Sequence, residues 1–188
     1  MDGPNVEIRE LRSISGRDFE EMGYGYTSDA KYEVRRTEVG GRITITVDFV
    51  ELDHPYVKLW PCPDEFVADQ CEAIACGMSL GAYIGNRLVG VAIAQPRRWS
   101  NSLWLDNIHV DEGYRGMGIG SKLMRAIESI ARKNGFRIIG LETQNTNAPA
   151  VGFYKKMGYV LDGLDVSFYS NNDDFSSEIA FFMKKHLC

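Results

Sequence analysis

The feature that most constrains the fold of this 188-residue chain is the stretch YRGMGIGSKLM, residues 114–124. It places glycine at positions 116, 118 and 120 and continues directly into a strongly helical segment. Because isolated glycines destabilise a helix, three of them at a helix start indicate a tight turn or a backbone that a ligand approaches closely. At a helix N-terminus such a ligand is usually an anion, since the free N–H groups and the helix dipole favour negative charge there.

Hydrophobic periodicity places this loop within a regular alternation of strands and helices. SLWLDNIHV before it reads as a strand, and residues 118–135 read as an amphipathic helix that ends at Gly135. From residue 78 onward the pattern predicts the order β-β-β-α-β-α-β-β. The first 77 residues predict a strand, a short helix, a hairpin turning at Gly40-Gly41 and a helix beginning at Pro63. This order favours an α/β fold with a mixed sheet flanked by helices.

Composition narrows the class of protein. A chain of this length, 44% hydrophobic and 25% charged, is expected to form one domain with its own core. No apolar run approaches the roughly 20 residues that span a bilayer, and the N-terminal residues lack a signal-peptide pattern, so we expect a cytoplasmic protein. Acidic and basic residues balance over residues 101–188, so the formal net charge of −5 lies in residues 1–100. That charge argues against nucleic acid as a partner and suits either a cationic small molecule or a solvated acidic surface.

Other sites for phosphates and metals do not fit the sequence. The four cysteines and three histidines lack zinc-ligand spacing, so we expect reduced thiols and no metal cofactor. A Walker A loop requires G-x-x-x-x-G-K-[ST], but here Lys122 follows Ser121. A dinucleotide fingerprint requires G-x-G-x-x-G, and the chain offers G-x-G-x-G.

Two motifs resemble those of the GNAT acetyltransferase superfamily. Residues 115–120 match its acyl-CoA signature [QR]-x-x-G-x-[GA], and residues 147–159, NAPAVGFYKKMGY, match its second signature N-x-x-A-x-x-F-Y-x-x-x-G-[FY]. The resemblance covers residues 78–185 well and the first 75 residues loosely. It implies a single GNAT domain, with residues 1–77 shaping the acceptor site and residues 78–185 forming the acyl-CoA-binding core. The implied sheet is mostly antiparallel, with one splayed strand pair and helices on both faces.

The resemblance also implies the residues that bind acetyl-CoA as co-substrate. Backbone groups of the strand before the loop would pair with the pantetheine arm, and the loop amides would hold the pyrophosphate. A residue early in the following helix would bond the cofactor or its ordered water. The implied cofactor-binding residues are Ile108, His109, Val110, Arg115, Gly116, Met117, Gly118, Ile119, Gly120, Ser121, Asn147, Ala150 and Tyr154.

Catalytic roles follow from the same resemblance and from acid–base chemistry. Tyr154 matches the family's general acid, which protonates the departing CoA thiolate, and the adjacent Phe153 is expected to take the core position. An acceptor ammonium must lose a proton before it attacks, so a base is required. Asp106 is the first candidate and Glu142 the second. His109 is a weaker third, because strand alternation places it opposite Ile108 and Val110.

Within the superfamily the chain resembles the streptothricin acetyltransferases most. That likeness rests on LDNIHVDEGYRGMGIG, ETQNTNAPAVGFYKKMGYVLDGLD and VDFVELDHPYVKLW. It implies acetylation of the β-lysine amine of a streptothricin antibiotic. An aminoglycoside, a polyamine or a protein amine remains an alternative acceptor, as does an acyl-CoA-binding module without turnover. A homodimer is left open, since dimers are common in the superfamily.

Overall fold

The computed structural model describes residues 5–169 and 178–187. Over these residues the strands and helices follow the predicted order, and both sides of the glycine loop have the predicted elements. The strands are β1 Glu7–Glu10, β2 Gly25–Val39, β3 Arg42–Leu59, β4 Leu80–Ile84, β5 Arg87–Arg97, β6 Ser102–Val110, β7 Ile138–Gln144, β8 Val160–Asp165 and β9 Ala180–His186. The helices are α1 Gly16–Glu21, α2 Asp64–Ala75, α3 Ile119–Lys133 and α4 Ala148–Lys156.

Local signals explain most of these boundaries. Helix α1 begins after a capping box, in which Ser15 and Asp18 satisfy each other's backbone N–H groups. Strand β8 ends four residues before its predicted end at 169, because the Asp165 carboxylate accepts the Ser167 N–H at 2.9 Å and turns the chain. Residues 176 and 177, at the start of the predicted final strand, lie outside the described residues.

Contacts between Cα atoms group the chain into two compact units. The first contains the described residues of Met1–Tyr24, Leu59–Leu141 and Lys185–Cys188, and the second contains Gly25–Lys58 and the described residues of Glu142–Lys184. The single domain, with residues 1–77 shaping the acceptor site and residues 78–185 forming the core, stays a prediction. Part of the predicted acceptor-shaping segment belongs to each unit, because the β2–β3 hairpin groups with α4 rather than with α2.

The first unit is built on a mixed sheet in the order β1-β4-β5-β6-β7. Its pairs are antiparallel except β6 with β7, which is parallel and is connected through helix α3. Helix α3 buries a stripe at helical spacing, and a second cluster packs α1 and α2 against β5. The largest fully buried side chains here include Leu11, Phe19, Met22, Ile93, Leu103, Ile119, Leu123, Met124, Ile127, Ile139 and Leu141.

The second unit contains the hairpin β2–β3, helix α4 and the last three residues of β7. The strands here are ordered β7-β9-β8. The hairpin turns at Gly40 and Gly41, whose φ angles of 57° and 79° are typical of a tight two-residue turn. Helix α4 begins at an Asn147 cap and buries Val151 and Tyr154. The mixed α/β architecture predicted from the sequence is confirmed in both units.

Candidate active site

The end of strand β6 has an unpaired edge in the first unit. Pairing with β7 covers only Ser102–Leu105, and in the described part of the chain no strand pairs with residues 106–110 on that side. The N–H of Asp111 donates to the carbonyl of Val89 on β5 at 3.0 Å. The N–H and C=O groups of successive residues point to opposite sides of a strand. Ile108 and Val110 therefore direct their N–H and C=O groups away from β5. The splayed strand is confirmed. Its free edge offers an extended ligand the N–H groups of Ile108 and Val110 and the carbonyl of Ile108, while the Val110 carbonyl already accepts from Arg115 Nε.

The glycine loop lies directly after this edge. Gly116 and Gly118 have φ angles of 80° and 79°, and a Cβ at either position would meet no protein atom within 4 Å. The first hydrogen bond of helix α3 joins the N–H of Lys122 to the carbonyl of Gly118 at 3.0 Å. The N–H groups of residues 119–121 therefore have no partner within the helix. With no acidic residue in the first turn, this helix start has the field and the donors to hold a phosphate.

Arg115, which opens the acyl-CoA signature, turns its side chain back onto the first unit. Its Nε donates to the carbonyl of Val110 at 3.1 Å, and its Nη2 donates to the carbonyl of Gly23 at 3.3 Å. Glu112 lies 3.6 Å from its Nη1. The guanidinium thus joins the end of β6 to the turn after α1. Its observed contacts support a role in positioning the loop.

Asp106 lies at an irregularity in β6. Asn107 pairs with Ile93 and Leu105 pairs with Ala94, so Asp106 is the extra residue of a bulge. The exposed carboxylate has its pKa raised by desolvation from nearby protein atoms, while a Gln95 hydrogen bond and the Arg97 charge lower it. Asp106 precedes Ile108 by two residues, so its carboxylate is carried by the same strand as the free edge. Of the base candidates, Asp106 alone belongs to the unit with the glycine loop and faces solvent.

His109 lies in the interior of the first unit. Its ring stands edge-on to Tyr24 at 5.2 Å between centroids, and Nε2 lies 3.4 Å from the carbonyl of Met22. Burial lowers the pKa of His109 to about 4, and the Arg115 charge contributes to the shift. The predicted alternation is confirmed, because His109 is buried while Ile108 and Val110 are half-buried. A buried imidazole that stays neutral at pH 7 is a poor base for an alkylammonium.

The His109 environment predicts a loss of stability in acid. The folded-state pKa of about 4 lies below the usual 6.5, so the unfolded chain binds the proton first as pH falls. The free energy of unfolding should therefore be fully retained above pH 6.5 and should fall between pH 6.5 and 4, by up to about 3 kcal/mol from this residue. Urea unfolding of wild type and His109→Gln at several pH values measures this pH dependence of the free energy of unfolding. His54→Gln, at an exposed position on β3, is the control; equal pH slopes in wild type and His109→Gln would contradict the assignment.

An interior polar pair beside His109 was not predicted from the sequence. Asn107 donates from Nδ2 to the hydroxyl of Tyr24 at 2.8 Å, and burial raises the pKa of Tyr24 to about 12. Tyr24 also packs against Phe19, Trp60 and Phe66. Strand alternation alone could have identified Asn107 as inward-facing, since it shares a face with His109.

Helix α4 carries the second signature in the second unit. The Oδ1 of Asn147 accepts the N–H of Ala150 at 3.2 Å, so the side chain caps the helix and its amide NH₂ remains for another partner. Tyr154 is buried, with 7% of its surface exposed, and its ring packs against Phe153 and Tyr159. Phe153 is only half-buried. The expectation that Phe153 takes the core position is wrong, because the rotation of the helix turns the Tyr154 ring inward instead.

Glu142 lies in a polar group of residues in the second unit. Its Oε1 accepts a hydrogen bond from the hydroxyl of Tyr169, and burial raises the pKa of the carboxyl. The Tyr169 hydrogen bond opposes that shift, the charge of Glu178 adds to it, and Lys58 opposes it. Glu142 is thus a half-buried carboxylate with a second carboxylate close enough to affect its titration.

Glu178 is the centre of this group. The ammonium of Lys58 donates to its Oε2, and Oε1 accepts from Tyr56 at 3.1 Å and Thr146 at 3.2 Å. The hydroxyl of Tyr26 lies 2.7 Å from that of Thr146 and 3.4 Å from the same carboxylate. We call this set the carboxylate–tyrosine cluster: Tyr26, Tyr56, Lys58, Glu142, Thr146, Tyr169 and Glu178.

Burial raises the pKa of each tyrosine in the cluster, namely Tyr26, Tyr56 and Tyr169, and neighbouring carboxylates add to the effect. The three phenols therefore stay protonated and act as hydrogen-bond donors at neutral pH. Of the cluster, only Glu142 was predicted from the sequence as a site residue. No local motif marks the other members, since more than a hundred positions separate Lys58 from Glu178 in the sequence.

The described residues contain no group of three or more His, Cys, Asp or Glu side chains arranged to hold a metal ion. Cys62, Cys71 and Cys76 are free thiols, and Cys188 lies outside the described residues. Within the same ranges no helix is long and apolar enough to cross a membrane.

Comparison with known proteins identifies the class to which this fold and loop belong. The profile of the acetyltransferase (GNAT) family matches residues 47–159, which include both motifs up to the last residue of the second. The chain belongs to the acetyltransferase (GNAT) family, and it is an acetyl-CoA-dependent N-acetyltransferase. The family predicted from the glycine loop and helix α4 is confirmed.

Similarity to particular relatives extends over most of the chain. A streptothricin acetyltransferase from Streptomyces lavendulae is 30% identical over 172 residues, covering 89% of this chain and 88% of the relative. One from Escherichia coli is 32% identical over 128 residues, covering 68% and 69%. A Bacillus anthracis str. Ames protein assigned as a streptothricin acetyltransferase, solved in complex with acetyl coenzyme A, superposes with a TM-score of 0.72 at 27% identity, covering 97% and 99%.

Proposed function

We propose that this enzyme transfers the acetyl group of acetyl-CoA to a primary amine of a cationic small molecule, most specifically the β-lysine amine of a streptothricin. The observation that carries the proposal is the extent of the likeness to the Streptomyces lavendulae enzyme, 89% of this chain. A likeness of that length includes the N-terminal segment expected to shape the acceptor site as well as the acyl-CoA-binding core. Acetylation removes a cation from the antibiotic and so weakens its recognition of an anionic RNA target, which is a route to resistance.

The proposed cofactor-binding residues, taken from the family resemblance, belong to the glycine loop, to the free edge of β6 and to the second signature. The amides of Gly116–Ser121 hold the pyrophosphate at the start of α3, and the free edge of β6 at Ile108 and Val110 pairs with the pantetheine arm. Arg115 holds the loop against the end of the strand through its hydrogen bonds to the carbonyls of Val110 and Gly23. The Asn147 amide and the adjoining turn of α4 at Ala150 complete the set.

The proposed reaction is a direct transfer in one encounter. Asp106 removes a proton from the acceptor ammonium, and the neutral nitrogen attacks the thioester carbonyl carbon. An outward N–H of the Ile108–Val110 segment stabilises the developing oxyanion. The C–S bond breaks, and Tyr154 donates its hydroxyl proton to the departing thiolate. No acetylated enzyme intermediate is needed, because positioning of the two substrates lowers the barrier.

Mass spectrometry of the acceptor tests the function. Streptothricin incubated with acetyl-CoA and submicromolar enzyme should gain a single acetyl group, while spermidine and an aminoglycoside in parallel reactions should remain unmodified. Fragment ions should place the acetyl group on the β-lysine chain. If streptothricin gains no acetyl group, the proposal that it is the acceptor is wrong. Acetylation of spermidine or the aminoglycoside would instead identify that compound's class as the acceptor.

The pH dependence of kcat/KM separates the two carboxylate candidates. A base works in its ionised form, so activity should fall as pH drops through its pKa, and the raised pKa of Asp106 moves this acidic limb upward. Asp106→Asn should lower kcat/KM by about 10²-fold or more and remove the limb. Glu142→Gln should retain the limb. The opposite pattern would transfer the role of base to Glu142.

A further inference from the structure

Asp111, at the start of the segment that carries the glycine loop, is a buried carboxylate to which the proposed reaction gives no role. It is 6% exposed and directly follows strand β6, which ends at Val110. Residues 112–118 after it are exposed, except for the half-buried Tyr114. An exposed segment has little packing to hold it, so its conformation depends on the hydrogen bonds at its ends. Asp111 therefore lies where it can fix the start of the loop.

Each polar atom of Asp111 is hydrogen-bonded within the first unit. Its N–H donates to the carbonyl of Val89 on β5 at 3.0 Å, and its carbonyl accepts from the N–H of Tyr114 at 2.8 Å. One carboxylate oxygen, Oδ1, accepts the N–H of Gly113 at 2.9 Å. The other, Oδ2, accepts from Nη2 of Arg87 on β5 at 2.9 Å. These bonds close the turn before the glycine loop and attach that turn to β5.

Arg87 extends this attachment to a second side chain of the turn. Its guanidinium carbon lies 5.5 Å from the centre of the Tyr114 ring, within the range of a cation–π contact. The same guanidinium supplies the countercharge of the Asp111 carboxylate. Without it, a buried negative charge would stand at the start of a loop that is proposed to bind a pyrophosphate, and like charges repel. Arg87 therefore acts on the loop through both contact and charge.

Building on the proposed function, which puts the pyrophosphate at the glycine loop, we propose that Asp111 and Arg87 are positioning residues for the cofactor. They act through the loop, by holding the turn before it against β5. Arg115 attaches the same segment to the carbonyls of Val110 and Gly23. A loop that is already held in one conformation loses less conformational entropy when a ligand binds, so these attachments strengthen cofactor binding.

Calorimetric titration of the full chain with CoA tests the role of Asp111. Asp111→Ala removes both carboxylate contacts and should raise the Kd for CoA by about tenfold or more. Asp111→Asn keeps an oxygen that can accept the N–H of Gly113, so its Kd should stay within about threefold of the wild-type value. This rescue by the conservative variant is expected because the hydrogen bond, and not the negative charge, closes the turn.

Replacement of Arg87 provides a second and independent readout. The Arg87 side chain is 59% exposed, so Arg87→Met can be made without opening a cavity in the core. Arg87→Met leaves the Asp111 carboxylate without its countercharge and should raise the Kd for CoA by about threefold or more. Arg87→Lys keeps the positive charge and should return the Kd to near the wild-type value.

A fragment of the cofactor separates positioning of the loop from a general loss of structure. Pantetheine carries the arm that the β6 edge is proposed to bind, and it lacks the pyrophosphate. In NMR titrations Asp111→Ala should bind pantetheine as wild type does, although its Kd for CoA is raised. Glu128→Ala is the matched control, because it removes ion pairs to Arg132 and Lys185 elsewhere in the first unit. It should leave the Kd of both ligands unchanged.

The outcomes separate this inference from the proposed function. Unchanged CoA affinity in Asp111→Ala, or an equal loss in Glu128→Ala, would overturn the positioning role, as would equal weakening of CoA and pantetheine. If Gly118→Val weakens CoA binding while Asp111→Ala does not, the pyrophosphate stays at the loop and only the positioning role is wrong. Wild-type affinity in both variants would remove the loop site as well. If Asp111→Ala does not fold, the comparison of Arg87→Met with Arg87→Lys decides.

Discussion

Replacement of Tyr154 by Phe is expected to lower kcat by about 10²-fold or more, while the KM for acetyl-CoA changes little. The phenol is the proposed proton donor to the CoA thiolate, and the substitution removes only its hydroxyl. The ring itself remains packed between Phe153 and Tyr159, so the shape of helix α4 is preserved. Single-turnover measurements that follow thiol release would report the chemical step directly.

Tyr159→Phe is the matched control for this experiment. Tyr159 is 4% exposed and Tyr154 is 7% exposed, and both rings lie in the same packed group. Each substitution removes one buried hydroxyl and should cost about 1 kcal/mol of stability. Only Tyr154→Phe should reduce kcat. Wild-type kcat in Tyr154→Phe would show that the hydroxyl is not the acid, and an equal loss in both variants would assign the effect to packing.

The chain's regular elements could be predicted where a local signal has one physical meaning. Strand β6 begins and ends at the predicted residues, since its apolar run is bounded by polar turns. The free edge of β6 and the positive φ angles at Gly116 and Gly118 follow from the glycine loop and its family motif. These features depend on residues close together in the sequence, where period and turn chemistry decide the conformation.

Side-chain positions were less predictable, because neighbouring residues compete for the same interior. The identity of the buried ring at positions 153 and 154 depends on a rotation of about 100° per residue along α4, which composition does not reveal. Arg115 matches its motif, yet its guanidinium bonds to the carbonyls of Val110 and Gly23. The bulge at Asp106 is set by the register of β6 against β5 and leaves no mark in the sequence of β6 itself.

The carboxylate–tyrosine cluster lay beyond sequence reasoning for a different reason. Its members come from β2, β3, β7 and segments near β8 and β9, so only the topology of the second unit brings them together. Each alone reads as an ordinary surface charge or core aromatic. Their joint meaning comes from burial, which turns scattered carboxylates into an interacting pair.

Substitution of Gly118 by Val is expected to raise the Kd for acetyl-CoA by about 10- to 100-fold, the loss of one hydrogen bond to a charged group. Gly118 has a φ of 79° and its carbonyl starts the hydrogen bonding of α3. A Cβ there meets no protein atom within 4 Å, so a side chain would project into open space beside the glycine loop. If the pyrophosphate binds at this loop as proposed, the side chain would compete with it for that space. It would also strain the left-handed backbone by about 1–2 kcal/mol.

Gly77→Val separates the two effects of that substitution. Gly77 follows helix α2 with a φ of 72°, is exposed, and likewise offers open space to a Cβ, with no protein atom within 4 Å. Both variants should lose about 1–2 kcal/mol of unfolding free energy from backbone strain. Calorimetric titration with acetyl-CoA should show weaker binding in Gly118→Val alone. Because the strain is matched, unchanged affinity in Gly118→Val would mean that the pyrophosphate does not bind at the start of α3, whereas equal weakening in both variants would assign the effect to stability.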